Sequence, residues 1–227
     1  MKIYQLQLKK ENDFCRKFLP NYTEQGKVEQ SLRPISLLKA TSFIPRKLID
    51  IEEACRHPEH VTNDSAVHFY RWDWILNRKR YTPEVLKTIL PQGTWLLSQD
   101  FSMFRDMYPE ENLWNWRRAN ANAERMVQCG FHVIPSLSWA EEDTFDYCFQ
   151  GIQPGGTVAV STVGVQRDAW GSILFTLGME KAIEVLHPKC VIVYGSMPKF
   201  DFGDLKIICF PNTSYQWTKN YEHKEVI

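Results

Sequence analysis

The carboxylate best placed for proton transfer is Asp100, which follows the apolar run Trp95-Leu96-Leu97 within Ser98-Gln99-Asp100-Phe101-Ser102. A carboxyl group leaving the end of a buried strand can serve as general acid or base, or hold a metal. Arg105, a little further on, offers a planar cation for an anionic group. These two are the candidate catalytic residues. A plainer reading has Asp100 cap the next helix or pair with Arg105, and sequence spacing does not separate the two.

The candidate binding residues are Asn115, Arg118, Ser138, Trp139, Thr162 and Tyr194. Asn115, Arg118 and Asn122 fall at spacings of three and four, hence on one helical face, opposite Trp116 and Ala123. Arg118 there offers a fork for phosphate or carboxylate, and Asn115 offers orienting hydrogen bonds. The competing reading is a solvated face shared with Arg117 and Arg125. Ser138, Thr162 and Tyr194 close other apolar runs, and Trp139 would form a stacking wall. One of Glu141, Glu142 and Asp143 would complete the carboxylate pair that glycosidic hydrolysis requires. An acidic run ahead of Thr144 is also what a helix N-terminus prefers, and that explanation is the stronger.

No metal site is expected. His57 and His60 flank Pro58-Glu59, where proline interrupts a helical pair and no third ligand stands out. His68 and His132 read as core-edge histidines. The metalloprotease helix, the Walker loop, the dinucleotide fingerprint and the nucleophile elbow do not occur, so no cofactor is named and the common nucleotide and hydrolase classes are disfavoured.

The elements that must position these groups alternate. Trp95-Leu96-Leu97, His132-Val133-Ile134, Val158-Ala159-Val160, Val191-Ile192-Val193 and Ile207-Ile208-Cys209-Phe210 each end in a small polar cluster, and Val67-His68-Phe69-Tyr70 ends in Arg71-Trp72-Asp73. Helical periodicity fills the gaps, with a helix from Pro109 to Gln128 capped near Gly130 and another from Ala169 to Leu186. Six strands alternating with helices make an α/β fold with a mainly parallel sheet, an incomplete (βα) barrel in preference to an open doubly wound sheet. Right-handed crossovers bring all the strand ends to one side, where such sheets bind ligands. Residues 1–65, punctuated by Pro20, Pro34, Pro45 and Pro58, read as an irregular arm packed on the core, with a short helix near Ile49 to Cys55. Residues 66–214 form the core, and 215–227 a polar tail.

A chain of 227 residues with 27 basic and 27 acidic side chains has no global field to recruit nucleic acid or an anionic membrane. Arg78-Lys79-Arg80 could still make a local basic patch. The six cysteines form no Cys-x-x-Cys pair and suit reduced thiols in a cytoplasmic protein. Neither a signal peptide nor a membrane span is legible.

Read in order, the pieces make a pattern: His68-Phe69-Tyr70 with Asp73, Asp100-Phe101-Ser102 with Arg105-Asp106, Trp114-Asn115 with Arg118, Gly130 through Val133-Ile134-Pro135 to Ser138-Trp139, Ser161-Thr162-Val163-Gly164, and Val193-Tyr194-Gly195. As an ordered set over residues 66–198 they resemble a domain-of-unknown-function family carried by phages, plasmids and conjugative elements of mainly Gram-positive bacteria. The resemblance implies a mobile-element setting and no particular activity. The expectation is an enzyme, a hydrolase of a nucleotide-like or glycosidic substrate. The alternatives are a counter-defence inhibitor of a host protein, a nucleotide sponge, or a DNA-binding replication accessory protein. Oligomeric state is not legible.

Overall fold

Short runs rich in Val, Ile and Leu, flanked by Pro, Gly and Ser, fold as strands buried on both faces, the signature of a parallel sheet covered by helices. The computed structural model describes residues 38–165 and 169–212. In chain order the elements are β1 (Lys47–Asp50), α1 (Ile51–Arg56), β2 (Ser65–His68), α2 (Asp73–Leu76), α3 (Pro83–Ile89), β3 (Trp95–Leu97), α4 (Pro109–Gln128), β4 (His132–Ile134), β5 (Ser136–Leu137), α5 (Phe145–Cys148), β6 (Thr157–Ser161), α6 (Ala169–Leu186), β7 (Cys190–Tyr194) and β8 (Lys206–Phe210).

Every ladder is parallel, in the orders β1-β2-β3-β4 and β5-β6-β7-β8. Only Pro135 separates β4 from β5. The chain therefore pairs with β3 on one side, passes the proline, and pairs with β6 on the other, where Ala159 N–H donates to the Pro135 carbonyl. Side chains alternate accordingly. Ala66, Leu97, Ile134, Ala159, Ile192 and Tyr194, drawn from both ladders, share one interior cluster. Val67, Leu96 and Val133 face an outer cluster under α1, α3 and α4. Val158, Val160, Val191 and Val193 face another under α6. Two ladders curled around one interior make an incomplete barrel, with no ladder joining β8 to β1 among the described residues.

The two long helices span the predicted residues. Gly130 closes α4 at φ 93°, a left-handed conformation that glycine adopts without a Cβ clash. Two strands escaped the sequence reading. β1 lies within the stretch read as an irregular arm, and β5 is only two residues long. Ahead of β1, the chain crosses beneath the sheets: Leu38 bridges Ile152, Thr157 N–H donates to Thr41 O, and Phe43 stacks on Trp95 at 4.2 Å. That part of the arm packs against the core. The rest of the arm to residue 37, and the tail, lie outside the described residues.

The α4 face carrying Asn115, Arg118 and Asn122 is buried, which overturns its reading as a solvated surface, and Trp116 and Ala123 are buried too. α4 straddles the join between β4 and β5. Ala123 and Met126 enter the first outer cluster, and Leu113 and Trp116 the second. With two apolar flanks occupied, the polar stripe between them faces the loop after β3.

Candidate functional site

That stripe holds the loop after β3 in place. Asn112 reads the backbone of Phe104 in both directions, accepting from its N–H at 3.0 Å and donating to its carbonyl at 2.9 Å. Asn115 donates to the Ser102 carbonyl, and Asn122 donates to Gln99, whose amide reaches the Tyr81 carbonyl. Arg118, 2% exposed, donates to Asp73 at 3.1 Å and Asn77 at 3.0 Å, with its guanidinium 3.6 Å from the Phe101 ring centroid. Asp73 in turn accepts from the Ser102 N–H and hydroxyl. Buried polar groups paired in this way set the path of residues 99–104.

The loop forms one wall of a cavity of about 440 Å³ at the strand ends. Its polar lining includes Asp100, Ser102, Arg105, Ser138 and Ser161, and its apolar lining includes Leu137, Trp139, Val163, Leu174 and Phe175. A cleft of this size with a few convergent polar groups fits a small molecule. Trp139 is clamped: its indole N–H donates to the Leu174 carbonyl at 3.0 Å, and its ring lies where a Cβ on Gly178 would stand, 2.2 Å away.

Asp100 is the unusual group. Burial pushes its carboxyl up to about 7, the negative charge of Asp73 adds to the rise, and a hydrogen bond with Ser138 opposes it. The carboxyl is therefore largely protonated just below neutral pH, able to give a proton as well as accept one. The carboxylate that perturbs it, Asp73, was missed as a partner because the two are far apart in sequence. The alternatives, Glu141, Glu142 and Asp143, are exposed at the start of the short turn before α5 and do not line the cavity.

Of the eight candidate residues, the fold brings Asp100, Arg105, Ser138 and Trp139 to the cavity. Asn115 and Arg118 stand behind the β3 loop. Thr162 is buried and ties two strand ends together, donating to the Ser196 carbonyl at 2.7 Å. Tyr194 is in the interior, stacked on Tyr70 at 4.7 Å with its hydroxyl donating to Asn212. Sequence reasoning passed over Ser102 and Ser161, which were legible as members of the polar clusters.

A second polar group lies deeper. His68 is fully buried between Tyr70 and Tyr194, its ring 4.5 Å from that of Tyr194. Its Nδ1 accepts from the Tyr70 N–H, and its Nε2 has no hydrogen-bond partner among the described residues. Burial pulls its pKa down to about 4, with Arg71 also lowering it and Asp50 opposing.

The model of a domain of unknown function, DUF4417, matches residues 29–211, a wider span than the motifs suggested. The chain belongs to this family. Two curated phage proteins are similar to it, both called Gene 1 protein. The one from Mycobacterium phage L5 is 33% identical over 172 residues, covering 74% of this chain and 73% of its own length. The one from Mycobacterium phage D29 is 30% identical over 161 residues, 70% of this chain and 59% of its own length. No solved structure matches. The family span takes in all of the cavity, the α4 seam, and part of the segment read as an arm. No helix among the described residues is long and apolar enough to cross a membrane.

Proposed function

We propose that the protein is a mobile-element enzyme of the host cytoplasm that hydrolyses a nucleotide-like or glycosidic small molecule in the cavity at the strand ends. The observation that carries this reading is Asp100: a carboxyl raised toward neutrality by burial and by Asp73, opening into a cleft whose lining includes the hydroxyls of Ser102, Ser138 and Ser161. A protonated Asp100 gives its proton to the leaving group as the bond to it breaks, water adds to the other fragment, and the proton that water loses returns to the Asp100 carboxylate, a role worth about 10²–10⁴-fold in rate. Ser102, Ser138 and Ser161 orient the polar edge of the substrate, Arg105 at the mouth meets an anionic group, and Trp139 with Phe175 covers its flat or apolar face.

Mass spectrometry of small molecules copurifying with the wild-type protein and with Asp100→Asn tests the proposal. A nucleotide-like or glycosidic compound should be retained by the variant and hydrolysed by the wild type, with turnover at least about 100-fold slower in the variant. Equal retention by both proteins without turnover by either would overturn it.

One observation favours a second reading, a non-catalytic binding protein directed at a host defence protein. Phe104 and Val163 line the cavity yet are half exposed, and Trp170 and Ile173, next in sequence to the lining residues Gly171 and Leu174, are exposed too. Large exposed apolar groups clustered at a rim commonly mark an interaction surface. Capture of one host protein, lost on Phe104→Ser with Trp170→Ser, would support this reading. Salt-sensitive retention on single-stranded DNA would point instead to nucleic acid.

A further inference from the structure

A separate cluster, remote in sequence from the cavity residues, has the donors of a metal centre. The sequence argued against it, because Pro58 prevents His57 and His60 from sharing an α-helical face. The chain uses a tighter turn instead. α1 ends at Arg56, the His57 N–H donates back to the Glu53 carbonyl, and Pro58 opens a 3₁₀ turn, Pro58–His60, closed by His60 N–H to His57 O and Val61 N–H to Pro58 O. Proline is tolerated at that position, where its missing N–H is not needed. In 3₁₀ geometry side chains three apart eclipse one another. The two imidazoles accordingly stack, with centroids 5.0 Å apart.

Glu59 completes the set. Its Oε1 is 3.1 Å from His57 Nδ1, and one ligand atom from each of His57, Glu59 and His60 lies within 4.8 Å of the others. Glu53 Oε1, 3.3 Å from His60 Nδ1, supplies the carboxylate that commonly orients a ligating histidine. We propose that His57, Glu59 and His60 form a surface site for a divalent transition-metal ion of the Zn²⁺ class. Two imidazoles and a carboxylate are a known zinc donor set that leaves a position open to water. All three side chains are exposed, so a small rotation closes them to the ~2.0–2.2 Å ligand distances such ions take. The backbone beneath them is already pinned by proline and three hydrogen bonds, so little ordering opposes binding.

Calorimetric titration of the metal-stripped full chain with ZnCl₂ at pH 7.5 tests the proposal, beside His57→Ala, His60→Ala, Cys209→Ser and His132→Ala. The expected result is one bound equivalent, weakened by about tenfold or more in His57→Ala and in His60→Ala. Binding should be unchanged in the Cys209 and His132 variants. Zinc binding that survives both histidine variants, or that is lost in Cys209→Ser, would overturn the site. So would the absence of binding, which would leave the cluster as a pair of surface ion pairs. Circular dichroism of the exposed-site variants checks that they fold.

Discussion

Asp50 and Asp100 are the same residue type at the carboxyl ends of two parallel strand runs, and the fold treats them in opposite ways. Asp50, 4% exposed at the end of β1, caps α1 through the Glu52 N–H and takes a bidentate contact from Arg71, at 2.6 Å to Nε and 2.9 Å to Nη2. Asp73 is likewise paired, with Arg118. Asp100, after β3, meets the Ser138 hydroxyl and the charge of Asp73, and its carboxyl is pushed up to about 7. A strand end therefore supplies a place and not a chemistry. A buried carboxylate beside a guanidinium is scaffold, whereas one set against a hydroxyl and a second carboxylate stays an acid.

The largest expected effect separates the two classes outright. Arg118→Ala strands Asp73 and uncovers Phe101, and breaking a buried pair in this way costs about 3–5 kcal/mol. Urea unfolding should register that loss, while Asp100→Ala should cost far less. Equal losses would make Asp100 another structural carboxylate and remove the contrast.

Next comes His68. Its folded pKa of about 4 lies below the ordinary histidine value of 6.5, so the unfolded chain takes up the proton first as pH falls. Stability intact above pH 6.5 should drop by about 3 kcal/mol by pH 4, at 1.36 kcal/mol per unit. A His68→Gln variant should lose that component of the pH profile.

Asp100 has the opposite sign. Its folded pKa of about 7 lies above the ordinary aspartate value of 3.8, so ionisation favours the unfolded chain and stability falls as pH rises from 4 to 7. Asp100→Asn should therefore be more stable than the wild type at pH 8 by about 2 kcal/mol, after allowance for partial solvation of a cavity wall, and no more stable at pH 4. A gain on removing the proposed acid, together with loss of turnover, is the usual trade at a functional site. A variant destabilised at pH 8 would break the comparison.

The smallest effect concerns the cavity wall. A methyl group at Gly178 meets the Trp139 ring, so Gly178→Ala should cost about 1–2 kcal/mol and shift the tryptophan fluorescence. Unaltered emission would show that Trp139 is not held by that contact.

Much of the framework was legible in the chain. The α4 and α6 periodicities, the polar closures of the runs at β3, β6 and β7, and the cap at Gly130 are local signals, decided by residues within a few positions of one another. β1 and β5 were not, because the apolar end of β1 runs straight into α1 and falls in the stretch read as an arm with a short helix, and β5 adds only two residues after Pro135. The buried side of α4 was also beyond reach: Asn115, Arg118 and Asn122 look solvated until Gln99, Ser102 and Asp73 arrive from other elements to pair with them. His57 and His60 show the same limit, since a proline that forbids one helix permits another.

The sequence by itself determined an alternating α/β chain whose strands end in polar clusters, with Asp100, Ser138 and Trp139 at one edge of the sheet. Backbone propensity and hydrophobic period act over short ranges, so they are written locally. Only the tertiary structure decided which carboxylates meet a guanidinium, that Asp73 and not Glu141, Glu142 or Asp143 stands against Asp100, and that Arg118 is spent on holding a loop. Burial and Coulomb interactions depend on distance through space, and residues remote along the chain supply them.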